Sequence, residues 1–239
     1  MPPPLNIIDM LALAWFLLCW TGYTWLANYR SKTTRSLMRV THCYREIWMR
    51  RLLERENRIV DSTLLGNLMR SVAFFASTTI IIIGGLIAML GASDKVIGII
   101  TELPFAVETV REAWEFKLLL LIMIFIYAFF KFTWSLRQFN YCNILIGAAP
   151  LAFNQLEDRD ACARQIAGLN SLAGNNFNYG LRAYYFGLAV LTWFINPWLF
   201  MGVSGWVVAV LYRREFASKT LKALMQSEIL IGEQDQHLD

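Results

Sequence analysis

Long uncharged runs separated by short clusters of charge set the pattern of this chain. Met10–Tyr29 and Ser71–Ser93 carry no charged residue, and thirty uncharged residues in succession lie between Arg182 and Arg213. Inside these runs the apolar positions are continuous and rich in Leu, Ile, Phe and Trp. A bilayer core about 30 Å thick takes about 20 such residues as a helix, whereas a membrane-spanning strand alternates apolar and polar over about ten. The pattern therefore predicts an all-α, polytopic helical membrane protein. It has four to five membrane-entering helices plus a cytoplasmic amphipathic helix, in a single integral membrane domain over 1–239.

The first three spans are predicted at about 7–27, 71–90 and 116–136. Trp15, Trp20, Tyr23 and Trp25 ride on the first, the later ones near one interface, as aromatic belts do. Gly84-Gly85 in the second offers a flat patch to a neighbouring helix. The last run is too long for one pass: thirty residues make a helix of about 45 Å. Asn196-Pro197 stands near its centre, and Asn suits an N-cap as Pro suits the first helical position. A hairpin of helices at about 177–195 and 197–212 is favoured over one kinked helix, with Arg182 snorkelling to the inner surface. The hairpin gives five membrane-entering helices with the C-terminus inside; the kinked helix gives four with the C-terminus outside.

Charge orients these spans. Asn28–Arg70 carries ten basic and four acidic residues, and Asp94–Glu115 two basic and five acidic. The positive-inside bias puts Asn28–Arg70 in the cytoplasm of a bacterial inner membrane. The N-terminus is then outside and the C-terminus cytoplasmic. Arg137, Arg182, Arg213 and Arg214 are the expected inner-interface anchors. Overall the chain is 56% hydrophobic and 17% charged, against about 25% charged in soluble domains. Met1–Asp9 has no Lys or Arg, so the first span reads as a retained helix and not a secretory signal. Four cysteines without a CxxC pair, three of them in segments placed on the cytoplasmic side, predict no disulfide framework.

Between the spans, Ser36–Ile59 reads as one amphipathic helix. Leu37, Val40, Tyr44, Trp48, Leu52 and Ile59 form its stripe, and Glu46, Arg50, Glu54 and Arg58 its charged ladder. Asp61-Ser62-Thr63 is the expected break before the second span. A cytoplasmic lobe is predicted over about 145–178, with a short helix carrying Leu156, Ala163, Ile166 and Leu169. Turns at Asn170, Gly174, Asn175, Asn176, Asn178 and Gly180 follow. Residues 232–239 read as a disordered tail.

Candidate chemistry is sparse. Lys131, Ser135, Gln138 and Cys142 share one helical face, with Tyr127 and Lys117 further along it. A Lys inside a span faces protein or water, or snorkels. The stripe is a possible polar pathway, with Ser77-Thr78-Thr79 as a facing surface and Asn196-Pro197 as a helix break. His42-Cys43 lacks the further ligands of a zinc site, and Glu108, Glu112 and Glu115 read as a solvated acidic face. No catalytic residue, cofactor or metal site is expected, and no nucleic-acid partner. Partners are membrane lipid and other copies or other membrane subunits.

Four runs in order, Ser135–Cys142, Gly147–Pro150, Thr192–Trp198 and Tyr212–Phe216, make the chain resemble the membrane family filed as domain of unknown function 599, found in bacteria and plants. The resemblance covers most of the chain. It implies a multi-span membrane protein with no assigned activity, and it singles out Arg137, Gln138, Asn140, Asn196, Pro197, Arg213 and Arg214. The leading functional expectation is a non-enzymatic protein acting by helix–helix assembly, as a homo-oligomer or subunit of a larger complex. The alternative is a small transporter or channel using the Lys131/Ser135/Gln138 pathway.

Overall fold

A computed structural model describes residues 6–33, 36–93 and 111–226. Glu108 and the rest of 94–110, His237 and the tail at 232–239 lie outside the described residues. The described chain is all-α, with no strand among its residues. Its helices are α1 (Ile7–Thr33), α2 (Leu37–Glu54), α3 (Ile59–Gly91), α4 (Arg111–Ala148), α5 (Leu156–Trp193) and α6 (Pro197–Phe216). A further short helix occupies 219–226.

Three stretches are long and apolar enough to cross a membrane: Ile7–Arg30, Ile59–Gly91 and Arg111–Ala148. That is fewer than the four to five expected. The shortfall lies in α5 and α6. Arg182 with Tyr184 and Tyr185 interrupts the apolar end of α5, and Trp198, Trp206, Tyr212 and the Arg213-Arg214 pair dilute the 20 residues of α6.

The helices divide into two compact units, described separately. The first comprises Met1–Leu26, Phe74–Phe132 and Asn178–Leu211, and the second Ala27–Ala73, Thr133–Phe177 and Tyr212–Asp239. In the first unit α1 buries Asp9, Ala12, Phe16, Cys19 and Tyr23, and α4 buries Trp114, Leu118, Leu121, Phe125, Ala128 and Phe132. The spacing of three and four residues in turn is that of a helix–helix seam. The Phe16 ring touches Phe186 of α5 at 5.8 Å and Phe200 of α6 at 5.2 Å between centroids. Fourteen residues of continuous helix would separate those two rings by about 21 Å, so α6 folds back along α5. Asn196 makes the corner: its Oδ1 accepts the Trp198 N–H at 2.8 Å and its carbonyl accepts that of Phe200 at 3.1 Å.

In the second unit α2 is shorter than its apolar stripe suggests. Ser36 caps it, accepting the Arg39 N–H at 3.2 Å, and it ends at Glu54, with Arg55 extended. The break therefore falls at 55–58 and not at Asp61-Ser62-Thr63, which lies inside α3. The reason is a fully buried carboxylate. Asp61 accepts from Trp48 Nε1 at 2.7 Å and from Arg55 Nη1 at 2.7 and 3.0 Å. Arg55 reaches it only after leaving the helix, and the Asn57 side chain then receives the Ile59 N–H at 3.0 Å to start α3.

Helix α5 also departs from expectation. The Asn- and Gly-rich stretch from Asn170 to Gly180 is helical throughout. Low local helix propensity is overridden by close packing. A β-carbon at Gly180 would collide with the Phe132 ring within the first unit, so glycine here lets α5 approach α4.

Candidate functional site

The polar stripe on α4 meets α5. In the second unit Ser135 is fully buried and donates to the Ala173 carbonyl at 2.7 Å. Gln138 is hydrogen-bonded to Asn176 Nδ2 at 2.8 Å, and Cys142, also fully buried, lies 3.9 Å from the Ile166 carbonyl. These three side chains follow α5 at 166, 173 and 176 and fasten the helices together. Hydroxyl and amide side chains serve this purpose between helices in lipid. Arg137 is exposed and donates to Tyr141 Oη at 2.8 Å on its own helix. Asn140 is exposed, and Arg213 and Arg214 are exposed in the last turn of α6, where cations favour a helix C-terminus.

Lys131 belongs to the first unit. It is half-buried, its ammonium 5.5 Å from the Tyr127 ring and 5.3 Å from the Tyr179 ring. Arg182 lies 5.4 Å from the same Tyr179 ring and 5.2 Å from Tyr23. It is 5% exposed, and its Nη1 has no hydrogen-bond partner. Two cations thus share one aromatic ring, and Arg182 is buried among helices. On α3, Thr79 is buried and its hydroxyl lies 2.8 Å from Tyr184 Oη.

Sequence reading missed the other charged site of this unit. Lys117 and Asp9, 2% and 7% exposed, form an ion pair at 3.6 Å. Trp193 Nε1 donates to Asp9 at 2.7 Å, and Lys117 Nζ donates to the Trp193 carbonyl at 3.1 Å. The Trp193 ring stacks on Phe200 at 4.9 Å. A cation is thereby held on the last carbonyl of α5, where the helix dipole is negative. Lys117 is visible in the sequence as a charge near the start of a span, but its partner stands more than 100 positions away.

Two more of the four runs have comparable roles in the second unit. Arg58 Nη1 donates to the carbonyls of Ile146 and Ala149 at 3.0 and 2.9 Å, and Nη2 to that of Pro150 at 2.9 Å, closing the C-terminus of α4 around Gly147–Pro150. In the run Tyr212–Phe216, Tyr212 Oη accepts from Arg30 and Glu215 accepts the Met38 N–H at 3.1 Å near the start of α2. All four runs therefore sit where helices are capped or joined. A family model confirms what they suggested, matching residues 11–220 with the description "Protein of unknown function, DUF599". The chain belongs to the DUF599 family. No curated protein and no solved structure matches it.

The sequence motifs of this DUF599 member thus coincide with its fastenings. One further polar arrangement lies in the second unit. A groove of about 580 Å3 runs along the α2–α5 seam, lined by Arg39, His42, Ser171 and Asn175 and walled by Met38 and Leu172. His42 Nδ1 lies 2.7 Å from Ser171 Oγ, and its Nε2 lies 3.2 Å from Glu46. Among the described residues no group of three metal-ligating side chains occurs.

Proposed function

We propose that this protein works by helix–helix assembly in the bacterial inner membrane, as a homo-oligomer or as a subunit of a larger complex. The observation that carries the reading is the outer face of α3. It is the most apolar of the three candidate spans and the least buried, with 22% of its most apolar stretch covered against 44% for α4. Ser77, Ile81, Gly84 and Ala88 lie exposed along it at helical spacing. A β-carbon at Gly84 or Gly85 would meet nothing within 4 Å. Small residues four apart let two backbones approach in lipid, where packing and not hydrophobicity drives association. The topology that goes with this reading has five membrane-entering helices, the α5–α6 turn near the outer face and both Asn28–Arg70 and the C-terminus in the cytoplasm.

The test is the mass of the purified protein in detergent, with Ala88→Cys cross-linking in native membranes. An oligomer that Gly84→Leu reduces to monomers supports assembly through α3. A chain that runs strictly as a monomer and gives no cross-link in membranes overturns it. A reporter fused to the C-terminus, active only in the cytoplasm, checks the topology.

A second reading, a small transporter or channel, draws on the paired cations at Tyr179 and on the buried, unpartnered Nη1 of Arg182. Cationic groups buried in a spanning bundle mark ion or substrate paths in many membrane proteins. It requires that a cysteine at Lys131 react with a water-soluble thiol reagent in membranes. An inert cysteine there removes the reading.

A further inference from the structure

Three residues at successive turns of α5 share one face in the second unit: Ile166, Asn170 and Gly174. The outer two have clear neighbours. The Ile166 carbonyl faces the Cys142 thiol at 3.9 Å. The Arg45 guanidinium lies against Gly174, where a β-carbon would stand 2.5 Å from Nη2 and 3.1 Å from Cζ. Asn170, between them, is fully buried, and neither its Oδ1 nor its Nδ2 has a hydrogen-bond partner. Buried side-chain amides are nearly always satisfied, because an unmade bond leaves the full desolvation cost.

Arg45 raises the same question for charge. Burial lowers the pKa of its guanidinium, and the neighbour opposing that shift is Cys142, not a carboxylate. An arginine keeps its proton in proteins, so a cation sheltered in this way calls for an anion. Gly174 provides the room in which the guanidinium lies. The groove beside this site on the α2–α5 seam has Arg39 and His42 in its lining, with Glu46 3.2 Å from His42 Nε2.

We propose that Arg45 and Asn170 form a binding site for a phosphate monoester or inorganic phosphate. The guanidinium fork takes two phosphate oxygens side by side. Asn170 Nδ2 donates to a third, and Asn170 Oδ1 accepts from the P–OH of the monoprotonated form. That last contact separates ligands. Sulfate has the same shape but no proton at neutral pH, so it leaves Oδ1 unsatisfied. The site is independent of the α3 face and stands whether or not the chain assembles.

The experiment is calorimetric titration of the full chain in detergent with inorganic phosphate and with sulfate at equal ionic strength. Saturable phosphate binding is expected, with sulfate weaker by roughly tenfold or more. Arg45→Gln abolishes phosphate binding, and Gly174→Ala, which leaves both polar residues in place but displaces the guanidinium, weakens it. Asn170→Ala brings phosphate down to the sulfate level. Equal affinity for the two anions overturns the proposal, as does unchanged phosphate affinity in an Arg45→Gln protein of native helicity and elution volume. The phosphate–sulfate difference is read on the unaltered chain, so it decides the matter even where a variant fails to fold. Competition with short-chain phosphatidic acid identifies the source. Displacement of phosphate assigns the site to a lipid headgroup, and its absence assigns it to a soluble phosphate monoester.

Discussion

Lys117 and Asp9 meet at 3.6 Å with almost no exposure, joining the start of α4 to the first turn of α1. Trp193 completes the arrangement by donating its indole N–H to Asp9 and accepting from the Lys117 ammonium at its carbonyl. The pair stabilises the first unit only as a pair, since either charge alone in that environment is unsolvated. Lys117→Met is expected to destabilise by about 3–5 kcal/mol, because it strands a buried carboxylate. Adding Asp9→Asn should recover part of the loss. Thermal unfolding in detergent of the two single variants and the double variant measures this, and a strictly additive cycle would contradict it.

Arg58 offers a similar test in the second unit. One guanidinium closes three carbonyls after the last turn of α4, at Ile146, Ala149 and Pro150. Arg58→Ala leaves them to water and should cost about 2–3 kcal/mol. Arg58→Lys should rescue little, since a single ammonium cannot span the three acceptors. Hydrogen exchange localised to 146–156 reads the effect, which should appear there before it appears in α2.

How far these fastenings could be read from the sequence depended on their range. The amphipathic α2 and the Asn196-Pro197 corner are local patterns of period or capping, and they were legible. The end of α2 was not, because its stripe runs on to Ile59 while the buried Asp61 carboxylate pulls Arg55 out of the helix. The Asn170–Gly180 stretch read as turns because its residues favour turns in isolation; only the Phe132 ring against Gly180 and the Arg45 guanidinium against Gly174 show why a helix uses glycine there. Arg45 and Asn170 stand on separate helices, and neither bears a motif. The stripe Ser135, Gln138 and Cys142 was visible as polar, but polarity alone does not distinguish a path from a helix seam.

Gly180 supplies a packing test within the first unit. A β-carbon at this position meets the Phe132 ring, a stiff neighbour that also packs on Phe75 and Tyr184. Gly180→Ala should therefore destabilise by about 1–3 kcal/mol, although alanine is the better helix former. Relieving the ring with Phe132→Leu in the same chain should restore much of the loss. If Gly180→Ala raised the melting temperature, helix propensity would outweigh packing here, and the close approach of α5 to α4 would be wrong.

Cys162, near the start of α5, makes stability depend on pH in a defined direction. Burial pushes its thiol above the usual value of 9.0, against the opposing charge of Arg58. A group whose pKa is raised by folding contributes stability that is complete below the unfolded value and is lost as pH rises through the folded one. Between pH 7 and 8.5 its contribution should therefore be flat, and above 9.0 it should decline. Replacing Cys162 with Ser removes this part of the alkaline loss, which comparison of unfolding midpoints for the two proteins from pH 8 to 10.5 measures. Alkylation gives the kinetic counterpart, because the thiolate is the reacting species. A maleimide at pH 7.5 should modify Cys162 more slowly than it modifies a free cysteine in the unfolded chain, and raising the pH should narrow that gap only above 9.0. Equal rates in folded and unfolded protein at pH 7.5 would mean that the first turns of α5 open to solvent and that the thiol is not sheltered.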